Sequence, residues 1–116
     1  MRIVNPVGKK GEDLAYEYLK KKGYTILERN YRKQYSEIDI IALTPDKKII
    51  VFVEVKARSS NAFGTPLEAI TPWKIKLLLK TIALYISSHK NLPEQQRIDA
   101  IAVTNEVIEH IQNVTG

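Results

Sequence analysis

The spacing of apolar positions changes several times along the chain, and each change predicts an element of secondary structure. Apolar side chains recur at helical spacing from about residue 8 to residue 22, so this segment predicts a first helix. Lysines at 20–22 and Gly23 follow, and they supply the cations and the glycine that commonly end a helix. Residues 24–32 are rich in β-formers and predict a strand.

Two later segments are apolar at nearly every position, which is typical of strands buried on both faces of a sheet. They are residues 37–43 and 49–56, and the Pro45-Asp46 pair between them predicts the turn of a hairpin. A loop is expected over residues 57–70, which contain serine, asparagine and glycine.

The rest of the chain predicts a helix followed by strands. Thr71 and Pro72 begin the helix well, with threonine as N-cap and proline in the first turn. Residues 97–103 predict another strand, and residues 107–111 predict a short edge strand. This order predicts an α/β fold in which helices flank a central mixed sheet, formed by one domain over residues 1–116.

Composition limits the class of protein. The chain is 44% hydrophobic and 27% charged, as expected for a soluble globular protein. It has no cysteine, which excludes disulfides and zinc–thiolate sites, and no apolar run of membrane-spanning length or signal-peptide type. We therefore expect a cytoplasmic protein with no membrane partner. The net charge of +5 favours polyanions as partners, nucleic acid first.

Charged residues interrupt the two apolar strands of the predicted hairpin. Asp39 lies in the first of these strands, and Glu54 and Lys56 lie in the second. An ionised carboxylate inside a sheet is costly unless it is paired or binds a metal. Two interpretations follow: Asp39, Glu54 and Lys56 form a metal-dependent site, or Glu54 and Lys56 form a plain salt bridge while Asp39 caps a turn.

Side-chain alternation predicts which of these groups meet. In the first strand of the hairpin, Asp39 points to one face, while Ile38 and Ile40 point to the other. In the second strand, Glu54 and Lys56 share a face. If the strands pair through the turn, the acidic faces coincide and the charged groups converge.

Phosphodiester cleavage requires the groups that this arrangement offers. Carboxylates are ligands for Mg²⁺ or Mn²⁺, and the backbone carbonyl of Val55 offers another oxygen. A nearby lysine can stabilise the transition state or activate water. Glu12 lies one turn before Ala15, beside the apolar stripe of the first helix, so it can reach the same site or serve only the helix dipole.

The chain also resembles a known family over nearly its whole length. These motifs occur in order: Gly11-Glu12-x-x-Ala15, Tyr31-Arg32, Glu37-Ile38-Asp39, Phe52-Val53-Glu54-Val55-Lys56-x-Arg58-Ser59 and Phe63-Gly64. They resemble the bacterial YraN family, also called UPF0102, within the restriction-endonuclease-like or PD-(D/E)xK superfamily. That family is described as distantly similar to archaeal Holliday-junction resolvases.

The resemblance implies roles for residues that match the motifs. Asp39 and Glu54 would be metal ligands, Lys56 the catalytic lysine, and Glu12 the helix carboxylate of the resolvase-like branch. Ser36 departs from the family pattern, because glycine usually stands at this position.

Basic and aromatic residues near the predicted site are candidates for contact with nucleic acid. Arg32, Arg58 and Lys74 flank it and are either phosphate ligands or solvated surface charges. Tyr31 is a candidate for stacking on an unpaired base, as are Tyr35 and Trp73, and Trp73 is alternatively a core residue. We assign no catalytic role to His89 or His110, because the sequence does not pair either of them with a particular acid or nucleophile.

Together these observations predict a metal-dependent endonuclease that acts on nucleic acid, with DNA favoured and branched DNA suggested by the resemblance. The alternatives are a nucleic-acid-binding module that does not cleave, and an interaction protein of a repair or replication assembly. A homodimer is a further hypothesis, since a two-fold symmetric junction has two strands to cut.

Overall fold

The computed structural model describes residues 6–58 and 70–115, and only the backbone of residues 6–8. Helix, three strands, helix and two strands follow one another, as the sequence predicts. The elements are α1 (Pro6–Lys21), β1 (Thr25–Arg32), β2 (Glu37–Leu43), β3 (Ile49–Arg58), α2 (Pro72–Ser88), β4 (Gln95–Thr104) and β5 (Val107–Ile111). The predicted loop was wrong at its start, because β3 continues through Ala57 and Arg58. Residues 59–69 of that loop lie outside the described residues.

The strands form one mixed sheet in the order β1-β2-β3-β4-β5. Three neighbouring pairs are antiparallel, whereas β3 and β4 are parallel and are joined by the segment that contains α2. A parallel pair needs a long crossover connection, and the helix meets that need. The predicted α/β fold with a central mixed sheet and flanking helices is therefore confirmed.

Apolar side chains form a core on each face of the sheet. Ala15 and Leu19 of α1 pack against one face, and Leu78, Ile82 and Tyr85 of α2 pack against the other. The middle strands β2, β3 and β4 are therefore buried on both sides, which explains their nearly continuous apolar sequences. Within the described residues, no helix is long and apolar enough to cross a bilayer.

Local sequence accounts for the ends of the helices. Thr71 caps α2 as predicted, because its hydroxyl accepts the Lys74 N–H at 3.1 Å and Pro72 follows. After α1 the chain turns through Gly23 at φ +94°, a left-handed conformation that glycine adopts without a steric penalty. Position 11 needs glycine for a different reason, because a Cβ at this position would lie 2.7 Å from the Cβ of Ala57. The missing side chain lets α1 approach β3 closely.

Strand β2 departs from simple alternation at Asp39. Ile38 packs in the cluster on the α2 side, and Ile40 packs in the cluster on the α1 side. The prediction that these two isoleucines share a face was therefore wrong. The physical reason is that pairing between β2 and β3 runs only as far as Ile40 and Val53, so β2 is free to turn beyond this point. The hydroxyl of Ser36, just before β2, lies 2.8 Å from that of Thr81 in α2.

Candidate active site

The acidic residues predicted from the sequence lie where β2 leaves β3. One carboxylate oxygen of Asp39 accepts the backbone N–H of Val55 at 2.7 Å. This side chain therefore bonds a backbone group of β3 just beyond the last residue pair between the strands. Glu54 is adjacent in β3 and only 5% exposed. The sheet thus opens beside two carboxylates.

The backbone of Val55 also faces this opening. In a β-strand the N–H and C=O groups of one residue point to the same side of the strand. Because the Val55 N–H bonds Asp39, its carbonyl oxygen lies on the β2 side of β3 as well. The carbonyl oxygen of Val55, which the sequence suggests as a third metal ligand, therefore lies on the same side of β3 as Asp39.

Two lysines contact the same carboxylate. One oxygen of Glu54 lies 2.5 Å from the Nζ of Lys74 and 3.5 Å from the Nζ of Lys56. Lys74 belongs to the first turn of α2, which Thr71 caps, so the helix holds this lysine over β3. The sequence predicts Lys74 as a phosphate ligand, and the structure places it against Glu54. A Glu54–Lys56 pair is present, but Lys74 is the closer partner.

Burial and charge shift the pKa values of these groups. Burial, followed by repulsion from Glu54, raises the pKa of Asp39 from its ordinary 3.8 to about 8, although the N–H of Val55 works against this rise. Glu12 and Glu37 add smaller repulsions. A divalent cation beside Asp39 would favour its charged form and so lower this pKa.

The two lysines shift in opposite directions. Burial and the neighbouring Lys74 lower the pKa of Lys56, against the attraction of Glu54. Burial also opposes the charge on Lys74, but its contacts with Glu54 and Lys56 and the charge of Asp39 together raise its pKa. Lys74 is thus the charged partner of Glu54, whereas Lys56 releases its proton more readily than an ordinary lysine does.

Asn30, which the sequence did not single out, connects two further acids, Glu12 and Glu37. With its amide nitrogen oriented toward the carboxylates, Asn30 donates to Glu12 at 3.2 Å and to Glu37 at 3.0 Å. Its backbone is left-handed, with φ 53°. An asparagine within a run of β-formers was the available clue, because asparagine tolerates this conformation and is depleted in strands. Glu12 therefore lies near the site, and Arg32 binds the other oxygen of Glu37 at 2.9 Å.

The other predicted nucleic-acid ligands have different environments. Arg32 is exposed apart from its ion pair with Glu37, whereas Arg58 is half-buried at the end of β3. Tyr31 is 8% exposed and packs edge-on against Tyr85, so the prediction that it stacks on a base is corrected to a place in the core. Trp73 is 64% exposed, so the alternative that it is a core residue was wrong.

A second polar cluster surrounds Asp99 in β4. This fully buried carboxylate accepts two hydrogen bonds from Arg97, at 2.8 and 3.0 Å, and one from the backbone of Asn113 at 3.0 Å. The Nε2 of His110 lies 2.7 Å away, and its Nδ1 lies 3.0 Å from the Tyr18 hydroxyl. His110 thus has the acidic partner that the sequence did not reveal, supplied by pairing of β5 with β4.

The donor set suits a hydrated cation better than an all-protein cage. Within residues 6–58 and 70–115, no three histidine, cysteine or acidic side chains form a group that could hold a metal ion. Magnesium commonly keeps several waters and binds through one or two carboxylates. Asp39, Glu54 and the Val55 carbonyl fit that requirement, provided that Lys74 leaves Glu54.

Comparison with known protein families shows to which family the chain belongs. A model of the Uncharacterised protein family UPF0102 matches residues 11–103. The chain belongs to this family. This range contains Glu12, Asp39, Glu54 and Lys56, together with the Phe63-Gly64 motif, which lies outside the described residues, as does Ser59.

Individual UPF0102 proteins match most of the chain. A UPF0102 protein of Flavobacterium psychrophilum is 48% identical over 113 residues, which cover 94% of this chain and 92% of the relative. A UPF0102 protein of Persephonella marina is 44% identical, covering 91% and 90%, and one of Mycobacterium sp. (strain KMS) is 38% identical, covering 95% and 83%. The family name describes no activity.

Proposed function

We propose that this UPF0102 protein is a metal-dependent endonuclease that hydrolyses phosphodiester bonds in DNA. One observation carries the proposal: half-buried Asp39 and buried Glu54 lie together where the sheet opens, and two lysines contact Glu54. A plain salt bridge does not account for Asp39, because burial and then the acids around it raise its pKa, and it has no cationic partner at salt-bridge distance in the described residues.

Asp39, Glu54 and the Val55 carbonyl would hold Mg²⁺ or Mn²⁺. When bound, the ion would supply positive charge beside the phosphate oxygens and make a bound water more acidic. Asp39 has to release its proton before it can bind a cation, and the high pKa makes that release part of metal binding.

The lysines divide the remaining work. Lys74 is held in its charged form, and after leaving Glu54 it can contact a phosphate oxygen and stabilise charge in the transition state. Lys56 has a lowered pKa and so is suited to accept the proton of the attacking water. Glu12 and Glu37, joined through Asn30, would position Asp39 or a water molecule.

The order of motifs and the mixed sheet support placement in the restriction-endonuclease-like superfamily. We extend the proposal to branched or structured DNA only through the resemblance to archaeal resolvases. A cytoplasmic location and a homodimer with one site per DNA strand belong to the same extension. Light scattering of the protein with and without a four-way junction tests the dimer.

A second candidate is a module that binds nucleic acid but does not cleave it. The contact between Lys74 and Glu54 favours this alternative, because it occupies a carboxylate that the nuclease needs for metal. The two functions differ in metal binding. Calorimetric titration with Mg²⁺ or Mn²⁺ should show a site that Asp39→Asn abolishes if the protein is a nuclease.

The decisive test of the nuclease is a cleavage assay with labelled duplex, single-stranded, flap and four-way-junction DNA. Asp39→Asn and Glu54→Gln should each lower the cleavage rate by more than about 100-fold, a loss larger than that caused by outer-shell changes at metal sites. Glu109→Gln, which neutralises an exposed acid on β5, is the matched control and should cleave normally. Cleavage retained by the Asp39→Asn protein would refute the proposed site.

Lys56 has its own test. Lys56→Ala should lose cleavage yet still bind metal, and Lys56→Arg should not restore the rate, because arginine does not release its proton at neutral pH. A Lys56→Arg protein that cleaves normally would show that this position supplies charge and not a proton acceptor.

A further inference from the structure

The outer face of α2 carries a row of aromatic and basic side chains. Trp73 is 64% exposed and Tyr35, just before β2, is 40% exposed. The Nζ of Lys76 lies 5.7 Å from the ring centroid of Trp73, and that of Lys80 lies 5.1 Å from the ring centroid of Tyr35. Residues 73, 76 and 80 share a helix face, because three or four positions correspond to about one turn. We call Trp73, Lys76 and Lys80, together with the neighbouring Tyr35, the aromatic–lysine stripe.

Charge along α2 is of one sign. The helix contains three lysines and no acidic residue. Lys74 turns toward Glu54 in the sheet, whereas Lys76 and Lys80 remain on the exposed face. The stripe therefore presents positive charge alternating with flat apolar rings, and its complement is a polyanion that offers flat surfaces.

We propose that the aromatic–lysine stripe binds an unpaired strand of nucleic acid. Bases of the strand would stack on Trp73 and Tyr35, and its phosphates would contact Lys76 and Lys80. Aromatic rings beside cations are the usual way in which proteins hold single strands without reading their sequence. A duplex fits less well, since its base faces are stacked on one another and only its phosphates would reach the stripe.

The stripe begins next to the candidate active site. Trp73 precedes Lys74, so a strand bound along the stripe would enter the site at the first turn of α2. Seven residues of helix rise about 10 Å, which spans about three nucleotides at 3.4 Å each. If the protein is the proposed nuclease, its substrate is a phosphodiester that adjoins an unpaired segment, and this part of the inference rests on the proposed function.

A second copy of the chain is a poorer occupant of this face. A two-fold contact places the same surface on both partners, so Lys76 and Lys80 would meet lysines of the other copy. Juxtaposed like charges disfavour association. Exposed Leu79 and Leu84 add apolar area to the helix but do not neutralise these charges.

Fluorescence gives a direct test, because Trp73 is the only tryptophan in the chain. The protein is titrated with a short oligothymidylate in the presence of EDTA, so that no cleavage occurs. We expect quenching of tryptophan emission and tighter binding than to an abasic strand of equal length, which keeps the phosphates but lacks bases. Trp73→Ala and Tyr35→Ala should each weaken binding, measured by fluorescence anisotropy of a labelled strand, by about tenfold.

Controls separate stacking from general surface effects. Leu79→Ala removes an exposed apolar side chain of α2 that does not belong to the stripe, and this variant should bind the strand normally. The double substitution Lys76→Ala and Lys80→Ala should reduce the magnitude of the slope of log K against log salt concentration by about 1.4, or about 0.7 for each phosphate contact. Lys90→Ala, which removes an exposed lysine beyond the end of α2, should leave the slope nearly unchanged.

Equal affinity for the thymidylate and abasic strands, without quenching, would overturn the inference. So would a dimer in light scattering that Trp73→Ala dissociates while no strand binds. An oligouridylate that binds as well as oligothymidylate supports the inference and identifies RNA as a second source of the strand. Strand binding without any cleavage would refute the proposed nuclease alone, whereas cleavage of duplex without strand binding would refute the stripe alone.

Discussion

Replacing Asp39 with asparagine should stabilise the metal-free protein, although it removes a proposed metal ligand. Burial and the neighbouring acids raise the pKa of Asp39 from 3.8 to about 8. The folded protein therefore holds a proton that the unfolded chain releases above about pH 4. The contribution of Asp39 to stability is therefore greatest below its unfolded pKa, and it decreases as pH rises toward 8. Asparagine is neutral at every pH and can still accept the Val55 N–H, so the variant avoids this loss.

The size of the effect follows from the same shift. Each pKa unit corresponds to about 1.4 kcal/mol, so about three units between the ordinary value and pH 7 give an upper limit of about 4 kcal/mol. Even a quarter of this limit is about 1 kcal/mol, which raises Tm by about 4 °C in a domain of this size. The gain should be small near pH 4 and largest above pH 8.

Thermal denaturation in EDTA between pH 4 and pH 9 measures the difference in Tm between the Asp39→Asn and parent proteins. Asp46→Asn in the same hairpin is the control of opposite sign, because the Thr44 hydroxyl and Lys48 N–H lower the pKa of Asp46. The Asp46→Asn substitution should lower Tm slightly relative to the parent protein, or leave it unchanged, as pH rises. Addition of Mg²⁺ should raise the Tm of the parent protein but not of the Asp39→Asn protein. An Asp39→Asn protein that melts below its parent at pH 8 would refute the reasoning.

Three other substitutions test the packing around the site. Gly11→Ala brings a Cβ to 2.7 Å from that of Ala57, so it should cost about 1–3 kcal/mol in the free energy of unfolding, measured with urea, and should slow cleavage by displacing Glu12. Asp99→Asn breaks a buried ionic cluster and should cost about 3–5 kcal/mol in the same assay. Tyr31→Phe removes a buried hydroxyl that has no hydrogen-bond partner among residues 6–58 and 70–115, so Tm should stay constant or rise.

These predictions fail in distinct ways. A Gly11→Ala protein of unchanged stability would show that α1 can move away from β3 freely. An Asp99→Asn protein with normal stability would mean that the cluster contributes no more than a neutral hydrogen-bonded group. A marked loss of stability in the Tyr31→Phe protein would reveal a partner for its hydroxyl.

The sequence predicted the charged residues that lie together where the sheet opens, because charges are conspicuous inside apolar strands. Asp39, Glu54 and Lys56 interrupt runs that the sheet buries, and the hairpin between them fixes where they meet. The helices and strands were also predictable, because periodicity and the Thr71 cap are local features of the sequence. What the sequence could not supply was the contact made by the crossover, which places Lys74 on Glu54.

Other features depend on register or on single dihedral angles. His110 meets Asp99 only because β5 folds back on β4, and nothing near His110 in sequence indicates that pairing. Asn30 bridges two acids from a left-handed conformation, which a strand pattern does not predict. The break at Asp39 arises where strand pairing ends, so alternation correctly predicted the acidic cluster but not the separate faces of Ile38 and Ile40.

The Asp99 cluster sets a limit on how short a folded fragment of this protein can be. The family match ends at residue 103, yet Asp99 depends on His110 and on the backbone N–H of Asn113 beyond that point. The Val114 N–H also donates to the carbonyl of Ile98 at 2.8 Å, which attaches the segment after β5 to the sheet. A fragment cut at the family boundary would leave a buried carboxylate short of donors and β4 without its neighbour. The smallest useful expression fragment therefore extends at least through residue 114.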